Sequence, residues 1–165
     1  MKLKSGITLI GLPGSGKSTL GVQLAKSRAQ DFLDTDIELQ KQIDAPLQVY
    51  LDQFGIDALK LAESNCICNL APQNCVVATG GSAVYSADAM AHLGQFGSIV
   101  YLEISYATMM ERLGDCADRG IAADLSEGLQ PMFEERVGLY RRYAQIVVDA
   151  NPSVPQVLQS LNKLL

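Results

Sequence analysis

Residues 11–18 read GLPGSGKS, and this stretch decides the fold that the sequence predicts. It matches the pattern G-x-x-x-x-G-K-[ST], a glycine-rich loop that binds phosphate groups through its backbone N–H groups. A short apolar segment, residues 7–10, precedes the loop, and a helical pattern with Leu20 and Leu24 on its apolar face follows it. The motif therefore lies between a predicted strand and a predicted helix, which is the context that it requires. An accidental glycine-rich turn does not explain that context.

The chemistry of this loop predicts a nucleotide site. Glycines let the backbone turn tightly towards phosphates, and the N-terminus of the following helix adds a partial positive charge. In such loops the lysine, here Lys17, reaches the β- and γ-phosphates, and the hydroxyl, here Ser18, is a ligand of Mg²⁺. We therefore expect ATP and Mg²⁺ as cofactors. The candidate ATP-binding residues of the loop and the start of its helix are Gly11, Gly14, Ser15, Gly16, Lys17, Ser18 and Thr19.

Short apolar segments alternate with helical patterns along the rest of the chain, which predicts βαβ units and a parallel sheet. The predicted strands are residues 7–10, 32–34, 76–78, 99–102 and 146–148. The predicted helices are residues 36–43, 47–54, 57–70, 86–93, 105–113 and 154–165. Residues 114–128 contain three glycines and fit neither period, so we expect a lid there. Residues 1–165 are predicted to form one domain.

Composition excludes several classes of function. The net charge of −5 and the sequence pI of about 4.8 argue against nonspecific nucleic-acid binding, which depends on Lys and Arg. No apolar run approaches the roughly 18 residues that span a bilayer, and the first residues lack the apolar segment of a signal peptide. Cys66 and Cys68 have the wrong spacing for a zinc or redox motif, which favours thiols in a reducing compartment. We expect a cytoplasmic monomer.

Two carboxylates lie at the end of the predicted second strand. Asp34 and Asp36 are two residues apart, so on an extended segment they project to the same side. Beside a triphosphate, one can bind Mg²⁺ through water and the other can accept a hydroxyl proton. The alternative is that one of them is only the N-cap of the next helix.

Four local motifs, together with the size and the order of the elements, resemble the shikimate kinase family over nearly the whole chain. The motifs are DTD at 34–36, ATGGSA at 78–83, DRG at 118–120 and ERVGLY at 135–140. The resemblance implies a three-layer P-loop kinase fold, with five parallel strands in the order 2-3-1-4-5 as in nucleoside monophosphate kinases. It also implies ATP-dependent phosphorylation of shikimate to shikimate 3-phosphate, a step towards the aromatic amino acids.

The resemblance assigns roles to residues on the substrate side. It places Asp34 near Mg²⁺, and it places Asp36 against the substrate hydroxyls as a catalytic residue. Glycines at 80 and 81 let backbone N–H groups approach the substrate, and Arg136 corresponds to an arginine that binds the substrate carboxylate. The family has a third glycine where this chain has Ser82, and a proline where it has Gly138.

The resemblance also assigns roles on the nucleotide side and exposes one departure. Arg119 corresponds to a lid arginine that reaches the phosphates during transfer, Arg112 to an arginine that packs on adenine, and Pro155 lies in a loosely similar adenine-side loop. At position 60 the family has a second arginine on the substrate carboxylate, whereas this chain has Lys60. Lysine keeps the charge but loses the two-pronged grip of a guanidinium.

These departures leave two alternatives open. The first is a related P-loop kinase that acts on another polyol or hydroxy acid. The second is a nucleotide-binding homologue that has lost catalysis, although Lys17, Ser18, Asp36 and Arg136 are all present.

Overall fold

The computed structural model describes residues 6–114, 121–124 and 126–165. Much of the predicted lid, residues 115–120 and 125, lies outside the described part of the chain, and the predicted phosphate contact of Arg119 lies there with it. Among the described residues, no helix combines the length and the apolar composition needed to cross a membrane.

Five parallel strands form one sheet in the order β2-β3-β1-β4-β5, which confirms the predicted order. The strands are β1 Gly6–Ile10, β2 Asp31–Asp34, β3 Cys75–Ala78, β4 Gly97–Glu103 and β5 Ile146–Asp149. All five residues of β1 and all four of β3 are buried, as expected for central strands of a sheet that is covered on both faces. The phosphate-loop motif follows β1 and therefore starts at the carboxyl end of the middle strand.

Eight α-helices are found in the described part of the chain. They are α1 Lys17–Arg28, α2 Thr35–Ile43, α3 Leu47–Phe54, α4 Ile56–Cys68, α5 Ala87–Phe96, α6 Tyr106–Leu113, α7 Gln130–Tyr143 and α8 Val154–Leu164. Helix α1 packs on β1, β2 and β3 and against α8, while α5 packs on β1 and β4 and against α4. These two groups cover the two faces of the sheet, which confirms the predicted three-layer α/β fold.

Helix α7 is the element that the sequence prediction did not delimit. Its buried residues are Met132, Arg136 and Tyr140, which are spaced by four and so share one face. Because an arginine stands in the middle of that face, no apolar stripe marks the helix in the sequence.

A second, smaller core supports the helices beside the cavity described below. Leu39 of α2 and Leu59 and Cys66 of α4 are buried together with Ala122. Residues of α3 pack around them, including Leu47. This satellite core holds α2, α3 and α4 as a unit next to the carboxyl ends of β2 and β3.

Candidate active site

One cavity of about 550 Å³ opens beside the phosphate loop and the carboxyl end of β3. Gly14, Gly16, Lys17, Ser18 and Thr19 line its nucleotide side. The opposite side is lined by residues of four other segments, which are Asp36, Leu39, Leu59, Glu63, Gly80, Gly81, Ser82 and Arg136. Ligands of open α/β sheets bind at such an edge.

The phosphate loop has the backbone that its glycines predict. Gly14 and Gly16 have φ values of 81° and 88°, which a residue with a side chain rarely adopts. The Lys17 ammonium donates to the carbonyl oxygens of Gly11 and Leu12 at 2.8 and 2.9 Å. Burial lowers the pKa of Lys17 to about 8, against the opposing effect of the nearby Asp36. The cation thus lies against its own loop, where a phosphate can draw it into the cavity.

Ser18 and Asp34 meet at the base of the loop. The Ser18 hydroxyl donates to Asp34 Oδ2 at 2.5 Å. Asp34 Oδ1 accepts from the backbone N–H of Asp36 at 3.0 Å, which confirms the interpretation of Asp34 as the N-cap of α2. The cap uses one carboxylate oxygen and leaves the other beside Ser18, so it is compatible with a metal role. The pair offers only oxygen atoms, the ligand type that Mg²⁺ prefers.

Asp36 faces the cavity from the first turn of α2. Burial raises the pKa of this carboxyl, and the neighbouring Asp34 raises it further. Gly80 lies directly beside it, since a Cβ at Gly80 would be 2.6 Å from Asp36 Oδ1. Asp36 and Gly80 are thus adjacent, and Lys17 lines the same cavity from its nucleotide side.

Arg136 enters the cavity from α7 and is 1% exposed. Its Nη2 donates to the carbonyl of Ala122 at 2.9 Å, and its Nε donates to the Tyr85 hydroxyl at 3.4 Å. The ion pairs among the described residues are Lys41–Glu38 and Arg141–Glu103, so no carboxylate in that part of the chain lies within 4.0 Å of this guanidinium. A buried cation without an anionic partner is costly unless a ligand supplies one.

Five of the described residues predicted for the site do not line this cavity: Gly11, Ser15, Asp34, Lys60 and Pro155. Lys60 Nζ lies 3.9 Å from the centroid of the Tyr85 ring and lines a neighbouring cleft instead. Pro155 is exposed on the first turn of α8, whereas Pro152, Ser153 and Val154 line the cavity just before it.

Arg112 lies between the phosphate loop and the segment that precedes α8. Its guanidinium donates to the carbonyl oxygens of Gly14, Ala150 and Asn151 at 3.2, 2.9 and 3.0 Å. It lines the cavity together with Gly14 and Pro152, and its packing on adenine stays a prediction.

Glu63 and Ser82 line the cavity, although the sequence did not predict either as a site residue. Glu63 belongs to none of the motifs singled out in the sequence, yet it is 4% exposed and lines the cavity itself. The sequence carried a signal for this burial, because Leu59, Glu63, Cys66 and Ile67 share one helix face and are all buried. No comparable signal could link Ser82 to Glu63, which lies nineteen residues away.

Comparisons with known proteins agree with this geometry. The family profile described as shikimate kinase matches residues 13–165. The shikimate kinase of Francisella philomiragia subsp. philomiragia is 32% identical over 164 residues, which cover 96% of this chain and 93% of that protein.

Solved structures give the same result. The shikimate kinase of Acinetobacter baumannii in complex with shikimate has a TM-score of 0.85 at 25% identity, over 96% of this chain and 91% of that one. The shikimate kinase of Aquifex aeolicus vf5 has a TM-score of 0.82 at 28% identity, over 96% and 94%. Sequence, fold and profile together place the chain in the shikimate kinase family.

Proposed function

We propose that this chain transfers the γ-phosphoryl group of ATP to the 3-hydroxyl of shikimate, giving shikimate 3-phosphate and ADP. Family membership supports both substrates, because shikimate kinases use ATP as the phosphate donor. The single observation that carries the proposal is the buried Arg136 in a cavity that also holds the phosphate loop.

Arg136 explains why the acceptor is an acid. Its Nε and Nη2 are engaged with Tyr85 and Ala122, which fixes the plane of the guanidinium. Its Nη1 lies beside Gly81, where a Cβ would be 2.7 Å away. A carboxylate that enters over Gly81 meets a positioned, desolvated cation, and hydrogen bonds to charged groups contribute about 1.5–3 kcal/mol each. Shikimate carries such a carboxylate on the ring that bears its hydroxyls.

The phosphoryl-transfer step needs positioning and charge stabilisation more than covalent chemistry. Lys17 is proposed to leave its loop carbonyls for the β- and γ-phosphates. Asp36, whose raised pKa favours proton uptake, is proposed to orient the acceptor hydroxyl and take its proton. Arg119, which lies outside the described residues, remains the proposed lid contact to the transferring group.

Mg²⁺ is proposed to bind where Ser18 and Asp34 meet. A magnesium ion held there would neutralise charge on the phosphates of the nucleotide. The two side chains fit this role, because Ser18 offers a hydroxyl and Asp34 a carboxylate that is already held by the Asp36 N–H. Asp34 thereby links the metal site to the first turn of α2, which carries Asp36.

The remaining proposed contacts divide between the two substrates. The nucleotide is proposed to contact the loop glycines, Ser15, Thr19 and Arg112, and the substrate to contact Gly80 and Gly81. Pro155 keeps only an indirect role, through the adjacent residues 152–154 that line the cavity.

A coupled ADP-release assay tests the proposal. The protein is assayed with ATP and, in turn, shikimate, gluconate, the methyl ester of shikimate and nucleoside monophosphates. We expect turnover with shikimate and a much lower rate of ADP release with the uncharged methyl ester. Faster turnover of another acceptor would make that acceptor the proposed substrate in place of shikimate. No turnover with any acceptor would favour the hypothesis of a homologue that has lost catalysis.

One observation favours a second candidate, a kinase for a related polyol or hydroxy acid. The second cation expected on the substrate carboxylate, Lys60, lies on the Tyr85 ring and not on the cavity wall. Arg136 would then be the only cation of the substrate end of the cavity among the described residues. That arrangement would suit an acceptor that binds through one cation and its hydroxyl groups.

We also propose a cytoplasmic monomer that binds no nucleic acid. The described cysteines Cys66, Cys68 and Cys75 are free thiols, which suits a reducing compartment. The acidic net charge supports the absence of nucleic acid among its partners. Sedimentation of the purified protein would test the monomer.

A further inference from the structure

The cavity contains a buried pair of polar side chains to which no role has been assigned so far. Ser82, 8% exposed, donates its hydroxyl hydrogen to Oε2 of Glu63, which is 4% exposed. Both side chains line the cavity, Glu63 from α4 and Ser82 from the turn after β3. The bond therefore joins two segments across the substrate end of the cavity.

The second oxygen of Glu63 has no partner. Glu63 Oε1 is buried and accepts no hydrogen bond from the described residues. It points to the same place as Asp36, because a Cβ added to Gly80 would clash with Glu63 Oε1 and would lie 2.6 Å from Asp36 Oδ1. A buried acceptor without a donor is costly, unless a ligand supplies the donor.

Cations near Glu63 are present but do not pair with it. No Lys or Arg of the described residues lies within 4.0 Å of its carboxylate. Lys60, one turn earlier on α4, contacts the Tyr85 ring instead. The Ser82 hydroxyl is therefore the group that orients this carboxylate.

We propose that Ser82 is a positioning residue of the substrate site, which holds Glu63 so that Oε1 accepts a hydrogen bond from a substrate hydroxyl next to the one held by Asp36. This inference rests on the proposed function, since it requires an acceptor with hydroxyls. Two carboxylates that converge over Gly80 fit a vicinal diol, and Arg136 fits the acid group of the same molecule. The class of ligand is thus a carboxylic acid with neighbouring hydroxyls.

The charge state of Glu63 makes the proposal measurable. Burial raises the pKa of Glu63 to about 7, and Asp36 raises it too, while Ser82, Arg136 and Lys17 act to lower it. A substrate hydroxyl donates a stronger hydrogen bond to Oε1 while the carboxyl is ionised, because hydrogen bonds to charged groups are the stronger ones. Shikimate affinity should therefore fall as the pH drops through the pKa of Glu63. Loss of the Ser82 hydroxyl should raise that pKa and move the fall to higher pH.

The test compares Ser82→Ala and Ser82→Gly with Ser64→Ala as the matched control. Ser64 follows Glu63 on α4 and shares a hydrogen bond with Ser86, but it is not among the residues that line the cavity. We expect KM for shikimate to rise about threefold to tenfold in both Ser82 variants, the loss expected for one hydrogen bond. The KM for ATP should stay unchanged, and Ser64→Ala should match the wild type in both constants.

The pH profile separates positioning from a merely structural role. In both Ser82 variants the acid limb of kcat/KM for shikimate should move to higher pH, and in Glu63→Gln the limb due to Glu63 should disappear. If Ser82→Ala does not fold, Ser82→Gly decides the matter, because glycine is the residue that the family has at this position.

Unchanged KM and an unchanged acid limb in the folded Ser82 variants would overturn the inference, while the wild type still phosphorylates shikimate. Failure of the wild-type protein to phosphorylate shikimate would instead contradict the proposed function.

Discussion

Lys17 has a charge that the apo fold accommodates at a cost. Its ammonium is satisfied by two loop carbonyls, and burial lowers its pKa to about 8 from the usual value of 10.5. The folded state without ligand therefore disfavours the protonated side chain. A bound triphosphate would supply the negative charge that stabilises it. Such a residue contributes to function more than to stability.

Lys17→Met should abolish turnover while the protein stays folded, because it removes the phosphate contact but keeps an unbranched side chain of similar size. Between about pH 8 and pH 10.5 the unfolded wild type binds the Lys17 proton and the folded state does not, so wild-type stability rises with pH relative to the variant. Steady-state rates and urea unfolding at several pH values measure both effects. Retention of near-normal kcat in the variant would remove the kinase interpretation.

Asp36→Asn should lower kcat at least about tenfold while KM for ATP changes little. The amide keeps the shape of the carboxyl but cannot take the proton of the acceptor hydroxyl, and Asp36 is the carboxyl that burial and Asp34 poise for proton uptake. Initial rates at saturating ATP and shikimate give the answer. A smaller loss would mean that Asp36 mainly orients the hydroxyl.

Lys60→Arg should leave KM for shikimate within about twofold of the wild-type value. A side chain that lies outside the cavity contributes little to substrate binding. If Lys60 bound the substrate carboxylate, as the family resemblance implies, an arginine at this position would instead tighten binding. In the structure, however, Lys60 Nζ lies over the Tyr85 ring and lines the neighbouring cleft. A clear fall in KM, measured by the ADP-release assay, would show that the side chain swings into the cavity when substrate binds.

At the scale of elements, α7 carries the proposed substrate anchor, Arg136, on its buried face. Arg136 and Tyr140 lie one turn apart on that face, and the Tyr140 hydroxyl donates to the Gly81 carbonyl at 2.7 Å. The helix thus ties the glycine turn after β3 to the arginine that faces it. Gly138, the residue between them, is exposed, and a Cβ added there would meet nothing within 4 Å.

Gly138→Ala should raise the free energy of unfolding by about 0.5–1 kcal/mol, the usual gain when alanine replaces glycine inside a helix. Kinetic constants should not change, because the new methyl group meets only solvent. Gly81→Ala is the contrast, since its Cβ would lie 2.7 Å from Arg136 Nη1 and should raise KM for shikimate. Circular dichroism measures the thermal unfolding of both proteins, and a lower unfolding temperature for Gly138→Ala than for the wild type would contradict the account.

At the scale of the whole molecule, the sequence predicted the features that are local in the chain. The phosphate loop, the strand before it and the helix after it depend on neighbouring residues, and the structure has them in place. The strand order came from the family resemblance, and it is confirmed. The sequence did not predict helix α7, because an arginine stands in the middle of its buried face and interrupts the apolar stripe that marks a helix.

The candidate site was predictable where motifs mark single segments and not where distant segments meet. Lys17, Asp36, Gly80 and Arg136 each belong to a recognisable motif, and the structure brings them to one cavity. The Ser82–Glu63 bond and the orientation of Lys60 depend on packing between α4 and the turn after β3. No local pattern encodes such contacts.

Product analysis by phosphorus NMR is the most direct test of the central claim, that this cavity phosphorylates shikimate. The wild-type protein is incubated with ATP, Mg²⁺ and shikimate, and Lys17→Met serves as the control. We expect the γ-phosphate signal of ATP to be replaced by a phosphomonoester signal coupled to the proton on carbon 3 of shikimate, and we expect no change with the control. Release of inorganic phosphate alone, or an unchanged ATP spectrum with the wild-type protein, would contradict the account.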